Sequence, residues 1–453
     1  MEFSAKVMEK QAELLSEEMV GYSTELGESG GVMAIEEEMR HVLQEVGAKG
    51  LGQVLSRQDE RKERKRALGC QCGKQAEYQR TREAVVVSVF GRVHYWRRYY
   101  LCPACHQGQA PLDQELHLSA GEVTAGLGSL LALAGVEASF EEGSRKIKRY
   151  LGIEVSDNTI RKETELFGQL QAEEEEAWKI KSQDPGYLQE RVRQAVKRQE
   201  RIYGSLDGVM TPLKGEWREL KVVSWYQAER VMRSKPRRHH GKLSGQQEEM
   251  QTKNITYAAD QQDAESFAKL VWATGCQREV DDYAEIVFIA DGAAWIWRLV
   301  EQYYPNAIQI VDWYHACEYL APIAQAAFPD EPQANKTWLE QTREDLWQGR
   351  IQHVLAACRA VEQHAAEPVR KALSYYSNNE KRMNYAQLRE QGYLIGSGTV
   401  ESACKQIALL RLCCAGARWS KDGLVQTAKA RAAWLSDAWD TLSARRAYLP
   451  LAA

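Results

Sequence analysis

Apolar, β-branched runs that close on an acidic residue constrain this chain more than any other feature. "AEIVFIAD" ends at Asp291 and "AIQIVD" ends at Asp312, with the Trp-rich amphipathic stretch "AWIWRLVEQYY" between them. Upstream lie "RIYGSLDGV", which holds Asp207 inside the run, then "RELKVVSWYQ" and "NITYAAD". Runs of this length and composition read as strands, and "AESFAKLVWATG" has the apolar spacing of a helix. The order is therefore β-β-β-α-β-α-β. A three-strand meander followed by right-handed crossovers gives one mixed sheet.

That is the order of a ribonuclease H-like core. The expected class is α/β: a ribonuclease H-like mixed sheet with a helical insertion, preceded by a small zinc-ribbon-like β module and helical N-terminal regions. Asp207 within a buried strand is costly unless it is paired or metal-bound. Asp291 closes the fourth strand, where open α/β sheets place their sites. Glu401 falls in the first turn of a helix predicted after Gly398 in "IGSGTVESACKQIALLRL". Three convergent carboxylates suit Mg²⁺, or Mn²⁺, as oxygen-liganded ions. Two such ions about 3.5–4 Å apart activate a nucleophile and stabilise a leaving oxygen in phosphodiester chemistry. Taken singly, "LDG" and "ADG" also read as turn aspartates, and Glu401 as a residue favouring a helix N-terminus. Asp312 is expected to cap the helix that starts near Trp313, or to join His315 in supporting the site.

Of ten cysteines, Cys70, Cys72, Cys102 and Cys105 cluster, bracketing a hairpin predicted from "AVVVSVFG" and "RVHYWRRYY". Four thiolates so spaced can hold a structural Zn²⁺, and the alternative is a packed hairpin with free thiols. The first pair is C-x-C, with Gly69 where a C-x-x-C pair would begin. Arg92, Arg97 and Arg98 on the hairpin suit phosphate contact. Two amphipathic segments joined at Gly152 predict a helix-turn-helix, with Arg161 and Lys162 toward DNA, or else a plain helical hairpin. From Arg230 to Lys242 there are six basic residues and no acidic one. Arg233, Lys235, Arg237 and Arg238 in this loop would hold a DNA backbone, unless it is simply a disordered surface loop. Lys405 lies four residues after Glu401, on the same helical face, toward a phosphate or toward Glu401 itself. Arg418 offers phosphate contact beside Trp419, for which packing is the plainer role.

The formal net charge of −4 gives no global basic field, so nucleic-acid binding must rest on local patches. No apolar run reaches membrane-spanning length and the first residues lack an apolar signal core, which points to the cytoplasm. Residues 1–50 carry eleven acidic and four basic side chains and have helical apolar spacing. They are poor phosphate binders, and their apolar faces suggest assembly with a second copy or packing on their own domain. The expected divisions are 1–66 (helical), 67–116 (β-hairpin module), 117–195 (helical, DNA-binding), 196–316 (catalytic core), 317–393 (helical insertion) and 394–453 (catalytic helix and C-terminal helices).

"LDGVMTPLKGEWRELKVVSWY", "ADGAAWIW", "YPNAIQIVDWYHACEYL", "NYAQLREQGYLIGSGTVESACK", "RWSKDG" and "CPACHQGQAPLDQELHLS" together resemble the blocks of bacterial insertion-sequence transposases of the DDE type, related to Mutator-like elements and close to the Kra-type group. The resemblance spans roughly residues 67–440. It implies a ribonuclease H-like catalytic domain interrupted by a helical insertion. It also implies metal-dependent cleavage and strand transfer at terminal inverted repeats, a target DNA, and a homo-oligomer working on bacterial, nucleoid-associated DNA. Asp207, Asp291 and Glu401 match the DDE positions. A DNA-binding protein with an inactive nuclease-like core and a purely hydrolytic nuclease are the alternatives.

Overall fold

The structure, a computed structural model, describes the backbone of residues 5–196, 198–232, 238–239, 242–243 and 248–449, and side chains within 31–196, 198–231 and 250–449. The expectation for Arg233, Lys235 and Arg237 lies outside the described residues. The backbone of Arg238 sits in a two-residue strand, and its side chain is outside them. The chain forms two compact units, one of Met1–Ala134, Phe140–Glu163 and Ser443–Ala453, the other of Gly135–Ser139 and Thr164–Leu442. No helix among the described residues is long and apolar enough to cross a membrane.

In the first unit, α1 (Ala5–Glu60) is broken at Gly31, whose φ is 65°. A four-stranded antiparallel sheet follows, β1 (Ala67–Gly69), β2 (Gln75–Ser88), β3 (Gly91–Leu101) and β4 (Gly108–Gln109), in sequential order. The long β2–β3 hairpin turns at Gly91, as its sequence predicts. Much of β3 has no strand on its far side, and α1 covers that edge. Ser56 Oγ accepts the Trp96 N–H at 2.9 Å and Asp59 accepts the Arg98 N–H at 3.1 Å. The helix lies so close that a Cβ on Gly52 would stand 2.2 Å from the His94 carbonyl oxygen. Covering edge amides in this way prevents pairing with a foreign strand. Leu55 of α1 joins Ala84, Val93 and Tyr95 in a small core with Leu112 of α2 (Pro111–Glu115). The part of α1 that follows the acidic segment is thus committed to its own chain, whereas Val32, Met33, Met39 and Leu43 within that segment stay exposed.

Beyond α2, α3 (Ala125–Glu137), α4 (Phe140–Leu151) and the start of α5 (Asp157–Lys181) bury Leu127, Leu131, Ile147 and Ile160 together. The α4–α5 turn uses Gly152 at φ 68°, and Ser156 Oγ accepts the Thr159 N–H at 3.1 Å. That satisfies one orphan amide of the new helix.

The second unit includes α5 from Thr164 onward and α6 (Pro185–Gln194), and is built on a five-stranded sheet of order β11-β10-β5-β6-β9. Its strands are β5 (Arg198–Leu213), β6 (Glu216–Met232), β9 (Glu248–Asp260), β10 (Tyr283–Ala290) and β11 (Ile308–Val311). β7 (Arg238–His239) and β8 (Lys242–Leu243) pair separately between β6 and β9. The first three long strands are antiparallel neighbours, while β10 runs parallel to β5 and β11. Crossovers α7 (Ala264–Gln277) and α8 (Ala294–Tyr303) carry the apolar faces that their spacing predicts. The arrangement is mixed α/β. After α9 (Trp313–Glu318) come α10 (Leu320–Ala327), α11 (Pro332–Trp347), α12 (Ile351–Ala360), α13 (Ala366–Asn379) and α14 (Tyr385–Glu390), all helical as expected. They share one core with the sheet through Leu346, Val354, Val369 and Tyr376. The short α15 (Gly398–Cys404), then α16 (Lys421–Leu435) and α17 (Trp439–Ala447), complete the chain. Lys429 of α16 is buried between two carboxylates, Asp260 at 2.7 Å and Glu175 of α5.

Candidate functional site

Strand register sets the height of each acidic residue. Gly204 of β5 pairs with Phe288 of β10, so Asp207 and Asp291 both lie three residues further along parallel neighbours. Ala290 pairs with Val311 of β11, which puts Asp312 at the height of Asp291. Asp207 is mid-strand, opposite Val222 of β6, whereas Asp291 lies just past the end of β10. The short α15 packs over β5 and β6 and carries Glu401 in its first turn.

The surroundings of these groups differ. Asp207 accepts the Gly208 N–H at 2.7 Å and is hydrogen-bonded by the thiol of Cys404, one turn beyond Glu401. Burial pushes the Asp207 carboxyl above its ordinary range; these hydrogen bonds and His315 pull it back, and the nearby charge of Asp291 pushes further. Cys404 is itself pushed well above the ordinary thiol range, by burial first and then by Asp207 and Glu401. Asp291 accepts the Ala293 N–H at 3.0 Å, and the intervening Gly292 is covered by Tyr375, whose ring would stand 2.1 Å from an added Cβ. Glu401 is exposed and accepts from the Ser397 hydroxyl at 3.3 Å.

Asp312 is fully buried and caps α9, accepting the His315 N–H at 2.7 Å. Its other oxygen accepts the Ser397 N–H, one residue before α15. The adjacent Trp313 N–H donates to the Ile395 carbonyl at 2.9 Å. The expected cap is present, and it also ties the segment that delivers Glu401, a link across 85 residues. The imidazole of His315 is half-exposed, with Nδ1 3.3 Å from Glu318. At the far end of α15 the chain makes a π-turn over Lys405–Leu409. Trp419 is buried, donates to the Leu412 carbonyl at 2.8 Å, and accepts the Lys214 N–H at 3.2 Å. Packing is therefore its role, while Lys405 and Arg418 are exposed.

The four clustered cysteines lie in two tight turns of the first unit. The Cys70 N–H donates to the Lys74 carbonyl at 2.8 Å, and the Cys102 N–H to Gln107 at 3.0 Å. Sγ atoms are 3.5 Å apart for Cys70 and Cys105 and 3.6 Å for Cys72 and Cys102, and all four lie within 4.8 Å of one another. Tetrahedral Zn–S bonds of about 2.3 Å require sulfur separations of about 3.8 Å, so the set fits zinc with small adjustment. The backbone N–H of Cys105 lowers the Cys102 thiol to about 7. Against the backbone N–H groups of Lys74 and Gln107, hydrogen bonding among the thiols pushes Cys72 up and Cys105 to about 12, so one thiolate forms readily and those two need a metal to replace their protons. The C-x-C spacing is thus no obstacle to convergence. Among the described residues this is the one group of three or more such side chains drawn tightly enough to hold a metal ion. Asp207, Asp291 and Glu401 do not form so tight a cluster.

Two expected phosphate contacts are corrected. Arg97 points inward, buried against Asp113, which also accepts from the Tyr95 hydroxyl at 2.7 Å. Arg98 braces the end of α1, donating to the Lys62 carbonyl at 2.8 Å and lying 3.5 Å from Asp59. Arg92 remains exposed, as does Lys162, while Arg161 is half-buried and donates to Asn158 at 2.7 Å. Cys404 carried no signal in the sequence beyond its position three residues after Glu401. No protein-family model and no curated protein matches this chain.

Proposed function

We propose that this chain is a DDE transposase, cutting insertion-sequence DNA at its terminal inverted repeats and joining the freed ends to target DNA. The observation that carries the reading is the common height of Asp207 and Asp291 on adjacent parallel strands, with the helix bearing Glu401 packed over β5 and β6, on the Asp207 side. The strand order supports the ribonuclease H-like core on which this chemistry is expected. Like-charged carboxylates, two of them half-buried, also suit a divalent counter-ion. Asp207, Asp291 and Glu401 would hold Mg²⁺ or Mn²⁺, which when bound supplies activation of water or a 3′-hydroxyl and stabilises the leaving oxygen.

The protein's own groups do the positioning. Cys404 holds the Asp207 carboxylate, Asp312 fixes the approach to α15, and exposed Lys405 is placed to meet a phosphate. Zn²⁺ at the four cysteines would stiffen the hairpin module. The test is metal-dependent nicking of a duplex carrying the repeats that flank the gene. Asp207→Ala, Asp291→Ala and Glu401→Ala should each abolish nicking while DNA binding and zinc content persist. Wild-type nicking without a strand-transfer product would identify a hydrolytic nuclease. Binding without nicking would identify a DNA-binding protein with an inactive core.

A further inference from the structure

The groove between α1 and β3 holds side chains that neither the cysteine cluster nor the carboxylates use. β3 alternates, sending Val93 and Tyr95 inward and Arg92, His94 and Trp96 outward. With α1 along the strand edge, the outward face and the helix enclose an open groove of about 580 Å³. Trp96 lies in it 53% exposed, while its backbone is fixed by Ser56. An indole left in water on a fixed stretch of backbone is a platform for a flat ligand. Arg57 and Arg92 also line the groove, and neither guanidinium has a carboxylate partner among the described residues. Lys49 pairs only with its helical neighbour Glu45, at 3.6 Å and largely exposed, and His94 with Glu83 at 3.0 Å. Glu60 closes one end.

We propose that this groove binds an unpaired stretch of nucleic acid, one base stacking on Trp96 while Arg57 and Arg92 take flanking phosphates. Stacking on an aromatic face beside unpaired cations is the general chemistry of single-strand binding. A base within a duplex presents only its edge, so the Trp96 face selects a base that has left its stack. The inference rests on nucleic acid being the partner and adds a second site on the first unit with its own strand preference.

The test uses the full chain, a labelled single-stranded oligonucleotide and the duplex of the same sequence, measured by fluorescence anisotropy. Trp96→Ala should weaken single-strand binding by about 10-fold or more, the size of one lost base stack, and leave duplex binding within about twofold. Trp96→Phe should retain most of the affinity. The double variant Arg57→Gln/Arg92→Gln should lower the salt slope of single-strand binding by about 1–2. Because Trp96 is exposed, zinc content and circular dichroism should match wild type and confirm an intact module. Unchanged single-strand affinity in Trp96→Ala overturns the proposal, and so does an equal loss on both probes. Wild-type protein that binds neither probe would overturn the nucleic-acid reading as well, an outcome distinct from failure of the groove alone.

Discussion

Replacing Asp312 separates two roles that look alike in sequence. In the structure its carboxylate, fully buried, accepts the His315 and Ser397 amides. Asp312→Ala removes a helix cap, a loss of about 1 kcal/mol. It also leaves the Ser397 N–H without its charged acceptor, a further loss of about 1.5–3 kcal/mol. The sum of about 2.5–4 kcal/mol corresponds to a melting shift of roughly 5 °C for a unit of this size. Asp312→Asn keeps one acceptor and turns an amide donor against the other N–H, so it should fall between wild type and alanine. Scanning calorimetry measures the stability, and titration with Mn²⁺ measures metal binding. As a tie rather than a ligand, Asp312→Asn should weaken Mn²⁺ binding by no more than about 10–100-fold, the range of supporting groups around a metal. Metal binding lost as completely as in Asp207→Ala, or an alanine variant as stable as wild type, would refute this reasoning.

Pure protein should carry one zinc per chain, and Cys72→Ser or Cys105→Ser should release it; metal analysis showing no zinc in the wild type would sink the assignment. Lys429→Met should destabilise the second unit by about 3–5 kcal/mol by stranding Glu175 and Asp260, with much of the loss recovered on adding Glu175→Gln and Asp260→Asn. Burial lowers the Lys429 pKa, but those two carboxylates outweigh it and hold it raised. Its contribution should therefore persist below the ordinary lysine range and disappear only as the pH rises through the elevated value. A chain beginning at Arg66 should aggregate, because the β3 edge and the Leu55 contact surface are uncovered, whereas one beginning at residue 47 should stay monodisperse in light scattering.

The strand order could be read in advance because each strand of the large sheet is an apolar, β-branched run set off by turn residues or charge. Register then made Asp207 and Asp291 neighbours, a consequence of parallel pairing that linear spacing does not display. Glu401 could be placed on a helix from the preceding glycines, but the bond that fixes the approach to that helix comes from Asp312, a residue distant in sequence. The arginines of the hairpin show the opposite failing. Charge alone marked Arg97 and Arg98 as phosphate ligands, whereas Asp113 and Asp59 claim them inside the unit. A basic residue on a strand carries no sign of whether an acidic partner waits across the fold. Nothing in the sequence distinguishes the Cys404 thiol from a buried thiol that only packs.

α15 is seven residues long, too short to persist alone, and lies against β5 and β6. Asp312 grips its approach through Ser397, and beyond the π-turn that follows it Trp419 is tied to the β5–β6 turn. A segment so clamped should open only when the sheet itself opens, so the amides of residues 401–404 should exchange hydrogen as slowly as those of β5. On the proposed reading, a cation would meet the backbone of Glu401 already in position. The entropic cost of ordering that backbone falls on folding, once, and is not repeated at each encounter.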